Sequence, residues 1–220
     1  MTATAPSVPG LYVGTSGWSY PSWKPGFYPA DVKPADFLTH YASRLPAVEL
    51  NTTGYRLPAE EQFERWAAQT PRGFRFAPKL NAYRSTDAGT FEEHVRRLGD
   101  RLGPIRVLVG YARDQGLLAL MLGSFDPQLR LAFDFRHGSW EGIEAELPAN
   151  AVRINDLEAA APFRYIRLRE PPYDERALRS WADRLRPLLA GGLDVYVFFK
   201  HEEEPTAPAY GERLRALVAG

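Results

Sequence analysis

The chain contains no cysteine, which excludes disulfides, thiol nucleophiles and cysteine-ligated zinc sites. A lack of cysteine is typical of cytoplasmic proteins, and we expect that location. No apolar run in the sequence approaches the roughly 20 residues that a membrane-spanning helix needs, so no membrane partner is expected. No glycine-rich phosphate loop follows the first predicted strand, and the sequence indicates no cofactor.

Neither sign of charge is in excess. Lys and Arg together number 27, as do Asp and Glu, and the sequence pI is about 6.9. This balance argues against a dedicated nucleic-acid coat or a membrane-surface binder, although it is compatible with a local basic site. The opening MTATAPSVPG has no basic region and no apolar stretch, so residues 1–10 are predicted to form a disordered tail. The remainder, 11–220, is long enough for one domain; its oligomeric state is left open.

Eight short apolar runs alternate with helical patterns, which is typical of βαβ units and a parallel sheet. The runs lie at 11–16, 47–51, 74–79, 105–111, 129–137, 151–156, 163–170 and 193–201. Eight such strands predict a compact α/β fold, a TIM-like (β/α)8 barrel, with an open doubly wound sheet as the alternative. The link 157–162 is too short for a helix, so one βα unit should lack it. Asp114, Ser139 and Asp174 are predicted to cap helices.

Most of these runs end in a charged or amide residue. Because side chains alternate along a strand, parity assigns the bulky apolar residues to the outer helices and the polar ones to the barrel mouth. The inward candidates are Glu49, Asn51, Lys79, Asp134, Arg136, Arg167 and Lys200. Four of them are cations and two are carboxylates, so an anionic ligand such as phosphate or carboxylate is expected. The alternative is a structural plug of ion pairs, which should be charge-balanced.

His137 follows Arg136 directly and is a candidate general base or metal ligand, or simply a packing histidine. Together with Glu49, Asp134 and Asp156 it could form an oxygen-rich metal site. No HxxE, HxH or HExxH spacing supports such a site, so no metal is predicted.

The first βα loop, at 14–29, is unusually aromatic, with Trp18, Tyr20, Trp23, Phe27 and Tyr28 among glycines and prolines. One use is a stacking wall for a sugar or a base beside the mouth. The other is a lid that packs on Tyr55 and Trp140. Either use predicts that the loop covers the C-terminal end of the barrel.

Several motifs together resemble the family known as domain of unknown function 72. They are GTSGW at 14–18, FYP at 27–29, VELNTTGYRLP at 48–58, RW at 65–66, TP at 70–71, FAPK at 76–79, RLG at 101–103, FDFRHGSW at 133–140 and YIRL at 165–168. The resemblance covers about residues 11–218 and implies a TIM-barrel-like fold. It implies no reaction, because the family carries no assigned activity.

The family pattern implies mouth positions that agree with the parity argument. Its strand-end residues match Glu49, Asn51, Tyr55, Lys79, Arg136, His137, Trp140, Tyr165 and Arg167, with Asp134 in place of a glutamate. The chain departs from the pattern at Gly54, where an aromatic is usual, in the segment VLVGYAR, and at the ends of the seventh and eighth strands. With these departures, the chain resembles a divergent member of that family.

Three functions fit the sequence. The leading one is an enzyme that acts on an anionic small molecule, such as a sugar phosphate or a nucleotide-like compound, held by Lys79, Arg136 and Arg167. Glu49 or His137 would transfer protons, and Asp134 would orient a partner. The alternatives are a metal-dependent hydrolase or nuclease-like barrel, and a non-catalytic anion-binding module.

Overall fold

A computed structural model describes residues 8–82 and 88–220. The eight strands are β1 (Leu11–Thr15), β2 (Ala47–Leu50), β3 (Arg75–Asn81), β4 (Ile105–Val109), β5 (Leu131–Phe135), β6 (Ala151–Arg153), β7 (Phe163–Leu168) and β8 (Asp194–Phe199). The α-helices of this described part are α1 (Phe37–Arg44), α2 (Glu60–Ala68), α3 (Ala88–Arg96), α4 (Gln115–Gly123), α5 (Glu175–Ala190) and α6 (Thr206–Ala219). Within the predicted tail, Val8 belongs to the described residues and its carbonyl accepts a hydrogen bond from Leu11 N at 3.1 Å.

The strands form one parallel sheet in the order β6-β5-β4-β3-β2-β1-β8-β7. Its two ends meet where Asn155 N donates to Tyr165 O at 2.8 Å, which brings the chain just after β6 against β7. The sheet is therefore a nearly closed barrel, and the predicted TIM-like (β/α)8 fold is confirmed. The carboxyl ends of all eight strands lie at one end of the barrel, where the polar strand ends were expected.

Side-chain alternation sorts the strands as the sequence predicts. Val195, Val197 and Phe199 of β8 pack with α5 and α6, while Tyr196 and Phe198 face the barrel interior. Below the mouth, small and large inward-facing residues pack together: Ala47, Ala77, Ala132, Val152, Ala161, Phe163, Tyr165, Tyr196 and Phe198. We call this group the lower interior. It fills the barrel beneath the mouth and gives the mouth a solid floor.

Two βα units have no α-helix. The link 157–162 is irregular, as predicted, but the helix expected after Ser139 is also absent. That segment forms two short 3₁₀ turns, Gly138–Trp140 and Ile143–Glu146. Gly142 separates them at φ 80°, a left-handed conformation that an α-helix cannot include. The prediction of a capped helix there was wrong because the segment buries Trp140 and Ile143 from two separate 3₁₀ turns rather than from one face of a helix.

The other two predicted caps are confirmed. Asp114 accepts a hydrogen bond from Leu117 N at 2.9 Å at the start of α4, and Asp174 accepts one from Ala177 N at 2.7 Å at the start of α5. Each carboxylate satisfies a backbone N–H that has no partner inside the helix. Across residues 8–82 and 88–220, every helix is too short or too polar to cross a bilayer.

Candidate functional site: an arginine-carboxylate network at the barrel mouth

The first half of the network is a buried ion pair between β2 and β7. Arg167 binds Glu49 through two bonds, Nε to Oε1 at 2.8 Å and Nη2 to Oε2 at 3.0 Å. Tyr165, two residues earlier on β7, donates its hydroxyl to Glu49 Oε1 at 2.7 Å. Burial alone would raise the pKa of Glu49, but the guanidiniums of Arg167 and Arg106 outweigh it and the pKa lies below its ordinary value. Glu49 is therefore held as a carboxylate.

The second half is built around Asp134 of β5. Arg106 donates to Asp134 Oδ2 from Nε at 3.0 Å, and Arg136 approaches the same carboxylate from Nε to Oδ1 at 2.8 Å. Arg106 also donates from Nη1 to Asn51 Oδ1 at 3.0 Å, which ties β4 to the end of β2. Arg167 Nη1 lies 3.5 Å from Asp134 Oδ2, so one carboxylate faces three guanidiniums.

Arg106 is the residue that sequence reasoning missed. It is the second residue of β4, and the sequence argument considered strand ends alone. The stagger of barrel strands aligns Arg106 with Lys79 of β3, so an early residue on one strand lies level with a late one on its neighbour. Strand alternation could have predicted Arg106. Ile105, Val107 and Val109 of the same strand face the outer helices, so Arg106 between them must face the barrel interior.

Lys79 adds further positive charge to this mouth. Its side chain is buried, its Nζ lies 4.5 Å from the centre of the Tyr55 ring, and within the described chain no carboxylate lies at ion-pair distance from it. Burial and the charges of Arg106 and Arg167 lower the pKa of Lys79, with Tyr55 opposing. A Cβ at position 54 would lie 2.9 Å from Lys79 Cδ, so Gly54 leaves room for the lysine stem.

The backbone of Arg167 is anchored by the turn that follows β6. Asn155 has φ 64°, and its side-chain Oδ1 accepts a hydrogen bond from Arg167 N at 2.7 Å. Asparagine tolerates this left-handed conformation better than most residues. The turn after β6 thus fixes the position of the Arg167 backbone along the barrel axis, and with it the guanidinium that binds Glu49. Arg167 Nη1 itself is buried and makes no hydrogen bond within the described residues, apart from its longer approach to Asp134.

The other predicted site residues lie around this network rather than in it. Lys200 is at the end of β8 and exposed. His137 is exposed and accepts a hydrogen bond from Ser139 N at 3.2 Å, so it caps a 3₁₀ turn. Its position immediately after Arg136 gives it the opposite parity, which explains why it does not point at the carboxylates.

The aromatic loop follows β1 and reaches the C-terminal end of the barrel, but it does not stack on Trp140. Trp18 meets Trp66 of α2 edge to face at 5.5 Å, whereas the ring contacts of Trp140 are with Phe135 at 4.5 Å and Tyr111 at 6.3 Å. The expected contact with Trp140 was wrong because that ring is buried beside β5, while the loop packs over α1 and α2. Tyr55 stays 66% exposed beneath Lys79.

Two cavities flank the network. The arginine cavity has a volume of about 730 Å³ and is lined by the carboxyl ends of β5, β6 and β7 and the residues that follow them, including Asp134, Arg136, Arg153, Arg167, Arg169 and Glu170. Burial, then the charges of Arg136 and Arg167, lower the pKa of Arg169, which nevertheless remains a cation at physiological pH. Arg153 is paired with Glu144 and Arg167 with Glu49, whereas Arg136 keeps 39% of its side chain exposed beside its pair with Asp134, and Arg169 has no carboxylate at ion-pair distance within the described chain. Arg136 and Arg169 are therefore the arginines that present charge to this cavity.

The aromatic cavity lies on the other side, with a volume of about 610 Å³. It is formed by the first βα loop, the end of β2 and the face of α2, and is lined by Trp18, Tyr20, Glu49, Asn51, Gln62 and Trp66 among others. Tyr20 stacks on His201 at 4.5 Å and donates to Ser16 O at 2.7 Å, so this wall is held in place. Burial, then the charge of Glu49, raises the pKa of Tyr20 to about 12.

The carboxylates and histidine that could have formed a metal site do not gather. Glu49 and Asp134 are each bound by arginines, and His137 is turned to the surface. Within residues 8–82 and 88–220, no three side chains of the His, Cys, Asp or Glu type are arranged to hold an ion. The geometry therefore lends no support to the metal-dependent alternative.

Known proteins resemble this chain in sequence and in fold. A family model described as "Protein of unknown function DUF72" matches residues 12–220. The UPF0759 protein YecE of Escherichia coli K12 is 33% identical over 103 residues, 46% of this chain. The match spans 35% of the length of that relative.

Two solved structures cover nearly the whole chain. A DUF72 family protein from Enterococcus faecalis V583 has a TM-score of 0.78 at 15% identity and covers 96% of both chains. Another, from Thermotoga maritima MSB8, has a TM-score of 0.71 at 22% identity, covering 96% of this chain and 99% of that one. At these identities the likeness is one of fold.

Proposed function

The chain belongs to the DUF72 family of proteins of unknown function, and we propose that it binds an anionic small molecule, bearing a phosphate or a carboxylate, at the C-terminal mouth of its barrel. The observation that supports this is the unequal count of charges in the network. Glu49 and Asp134 are its two carboxylates, whereas Arg106, Arg136, Arg167 and Lys79 bring four cations to the same mouth.

The surplus has a consequence for binding. A plug that served stability alone would be neutral, because unpaired buried charge is costly. Lys79 and Arg169 have no carboxylate at ion-pair distance within the described chain, and Arg136 shares Asp134 with Arg106. An incoming anion would supply the missing negative charge and accept charge-assisted hydrogen bonds.

The arginines have different tasks in this proposal. Arg106 and Arg167 are buried and hold the carboxylates in place. Arg136 is partly exposed, with 39% of its side chain accessible, and it lines the arginine cavity beside Arg169. Arg136 and Arg169 are therefore the groups that we expect to touch the anion. Arg106 and Arg167 would position the two carboxylates beneath them.

A catalytic step would need a group that exchanges a proton near neutral pH. Glu49 suits this task poorly, because its carboxylate is fully occupied and its pKa is lowered. Lys79, with a lowered pKa and a position among cations, is the better proton carrier. An enzyme and a non-catalytic module would share the anion site and differ in whether Lys79 takes part in turnover.

The proposal is tested by calorimetry with inorganic phosphate, a hexose phosphate and a nucleoside monophosphate. Arg136→Met should weaken anion binding by about 10- to 100-fold, the value of one or two lost charge-assisted bonds. Arg179→Met is the matched control, since Arg179 is an exposed arginine of α5 paired with Glu175, away from the cavity lining.

Equal affinities for wild type and Arg136→Met would contradict the proposal, as would an absence of anion binding to wild type. Stoichiometric binding of a divalent cation without anion binding would instead support the metal-dependent alternative. Melting curves of both variants verify that a lost affinity does not reflect unfolding.

A further inference from the structure

The aromatic cavity differs chemically from the arginine cavity. Among the described residues that line it, Glu49 is the one charged side chain, and Arg167 already binds that carboxylate. The rest of the wall is uncharged: Trp18, Tyr20 and Trp66 supply aromatic rings, and hydroxyl and amide side chains, among them Asn51 and Gln62, lie between them. Such a surface suits an uncharged ring whose edges form hydrogen bonds.

The cavity is also preformed. Trp66 is fixed from behind by Phe63 at 5.3 Å and by Phe76 at 6.4 Å between ring centres, and Trp18 rests edge-on against it. Tyr20 is held by its stack on His201. A wall that is already ordered loses little side-chain entropy when a ligand binds.

The two cavities share one partition. Glu49 lines the aromatic cavity, Arg167 lines the arginine cavity, and the two side chains are bonded at 2.8 Å. A second link runs from Asn51 on the aromatic side through Arg106 to Asp134 on the arginine side. The bonded side chains of Glu49 and Arg167 thus lie between the two cavities.

We propose that the two cavities hold the two ends of one ligand: the anionic group beside Arg136 and Arg169, and an uncharged ring, a nucleobase or a sugar, against Trp18 and Trp66. This inference rests on the proposed anion site and adds the chemical class of the rest of the molecule. The ligand is then a ring-bearing phosphate or carboxylate that lies across the Glu49–Arg167 pair.

A cavity-blocking variant tests the inference without disturbing the network. Ala35 lines the aromatic cavity and is exposed, so Ala35→Phe should fill part of the space without a folding cost. Ala30→Phe is the matched control, because Ala30 is exposed in the same stretch of chain and is not part of the lining. A second variant, Trp66→Leu, removes the ring wall itself, with melting curves to verify folding.

Titrations with inorganic phosphate, a hexose, a nucleoside, a hexose phosphate and a nucleoside monophosphate separate the two ends. One ring-bearing phosphate should bind at least about 10-fold more tightly than inorganic phosphate. Ala35→Phe should abolish that gain and leave the affinity for inorganic phosphate unchanged. Arg136→Met should weaken both. Whichever phosphate gains affinity identifies the ring as a base or a sugar.

The failures are distinguishable. If inorganic phosphate binds as tightly as both ring-bearing phosphates, the inference is overturned and the anion site stands. If a free nucleoside or hexose binds fully without its phosphate, the proposed function fails. If a bound ring-bearing phosphate is displaced by inorganic phosphate and its affinity is unaffected by Ala35→Phe, the ring lies elsewhere and the inference is wrong.

Discussion

The inside of this barrel has two regions made by the same strands. The lower interior fills space with alanines of β2, β3 and β5 set against aromatic residues of β7 and β8. Two residues further along each strand, the next inward-facing positions of β2, β3, β5 and β7 carry Glu49, Lys79, Asp134 and Arg167, all of them buried. Tyr165 joins the two, since its ring belongs to the lower cluster and its hydroxyl binds Glu49. Strand alternation thus determines which way a side chain points, and residue choice alone separates a packed floor from a charged mouth.

The largest difference between the two regions should come from breaking the mouth's inner ion pair. Arg167→Met removes both guanidinium bonds to Glu49, which is 1% exposed, and leaves it the longer approach of Arg106 at 4.0 Å, so it should lower the free energy of unfolding by about 3–5 kcal/mol. Arg130→Met, which breaks a pair with Asp194 whose side chains are 35% and 30% exposed at the bottom of the barrel, should cost about 1 kcal/mol or less.

Chemical denaturation measures both values. The double variant Glu49→Gln/Arg167→Met should recover much of the loss, because it removes both charges together. If Arg167→Met proves no more destabilising than Arg130→Met, then the mouth pair is not a buried pair of the kind described.

A smaller effect is expected at the junction of the two regions. Burial, then the charge of Glu49, raises the pKa of Tyr165 well above its ordinary value, so its hydroxyl remains a donor. Tyr165→Phe removes a hydrogen bond to a carboxylate and should cost about 1.5–3 kcal/mol. Tyr196→Phe, at the bottom, also removes a bond to a charged group, but this bond from Arg130 is 3.3 Å long and its guanidinium is 35% exposed to water, so the loss should be smaller, about 0.5–1.5 kcal/mol. Thermal or chemical unfolding measures both losses of unfolding free energy. Equal losses for the two variants would contradict the proposed difference between the lower interior and the mouth.

The smallest effect is a dependence on pH. Burial and the nearby charges of Arg106 and Arg167 lower the folded-state pKa of Lys79, so its protonated form destabilises the fold. The penalty is fully present below the folded pKa, and it disappears as the pH rises from there toward the ordinary value of 10.5. Unfolding free energy should therefore rise across that window in wild type relative to Lys79→Met.

Lys200→Met is the control for this prediction, because Lys200 is an exposed lysine at the same end of the barrel. It should retain the rise seen in wild type. A rise of equal size in Lys79→Met would show that another group causes it.

The fold could be predicted because eight apolar runs and their parity are local properties of the sequence. The helix after β5 was predicted wrongly because periodicity did not reveal that Gly142 would take a positive φ and split the segment. Glu49, Asp134 and Arg167 followed from strand ends, whereas Arg106 required the stagger between β3 and β4, which one sequence does not state. His137 failed to join the network for the opposite reason, as it lies one residue out of step with Arg136.

Among the residues that the structure describes, Asp134 is the one carboxylate that faces three guanidiniums, those of Arg106, Arg136 and Arg167. This sharing imposes an order on evolutionary change. A lineage that lost Asp134 first would leave its cations without a common counter-charge, whereas the loss of Arg136 leaves Asp134 still paired with Arg106. The route from this mouth to an uncharged one therefore removes the outer arginine before the aspartate, and the effects of these substitutions depend on the order in which they arise.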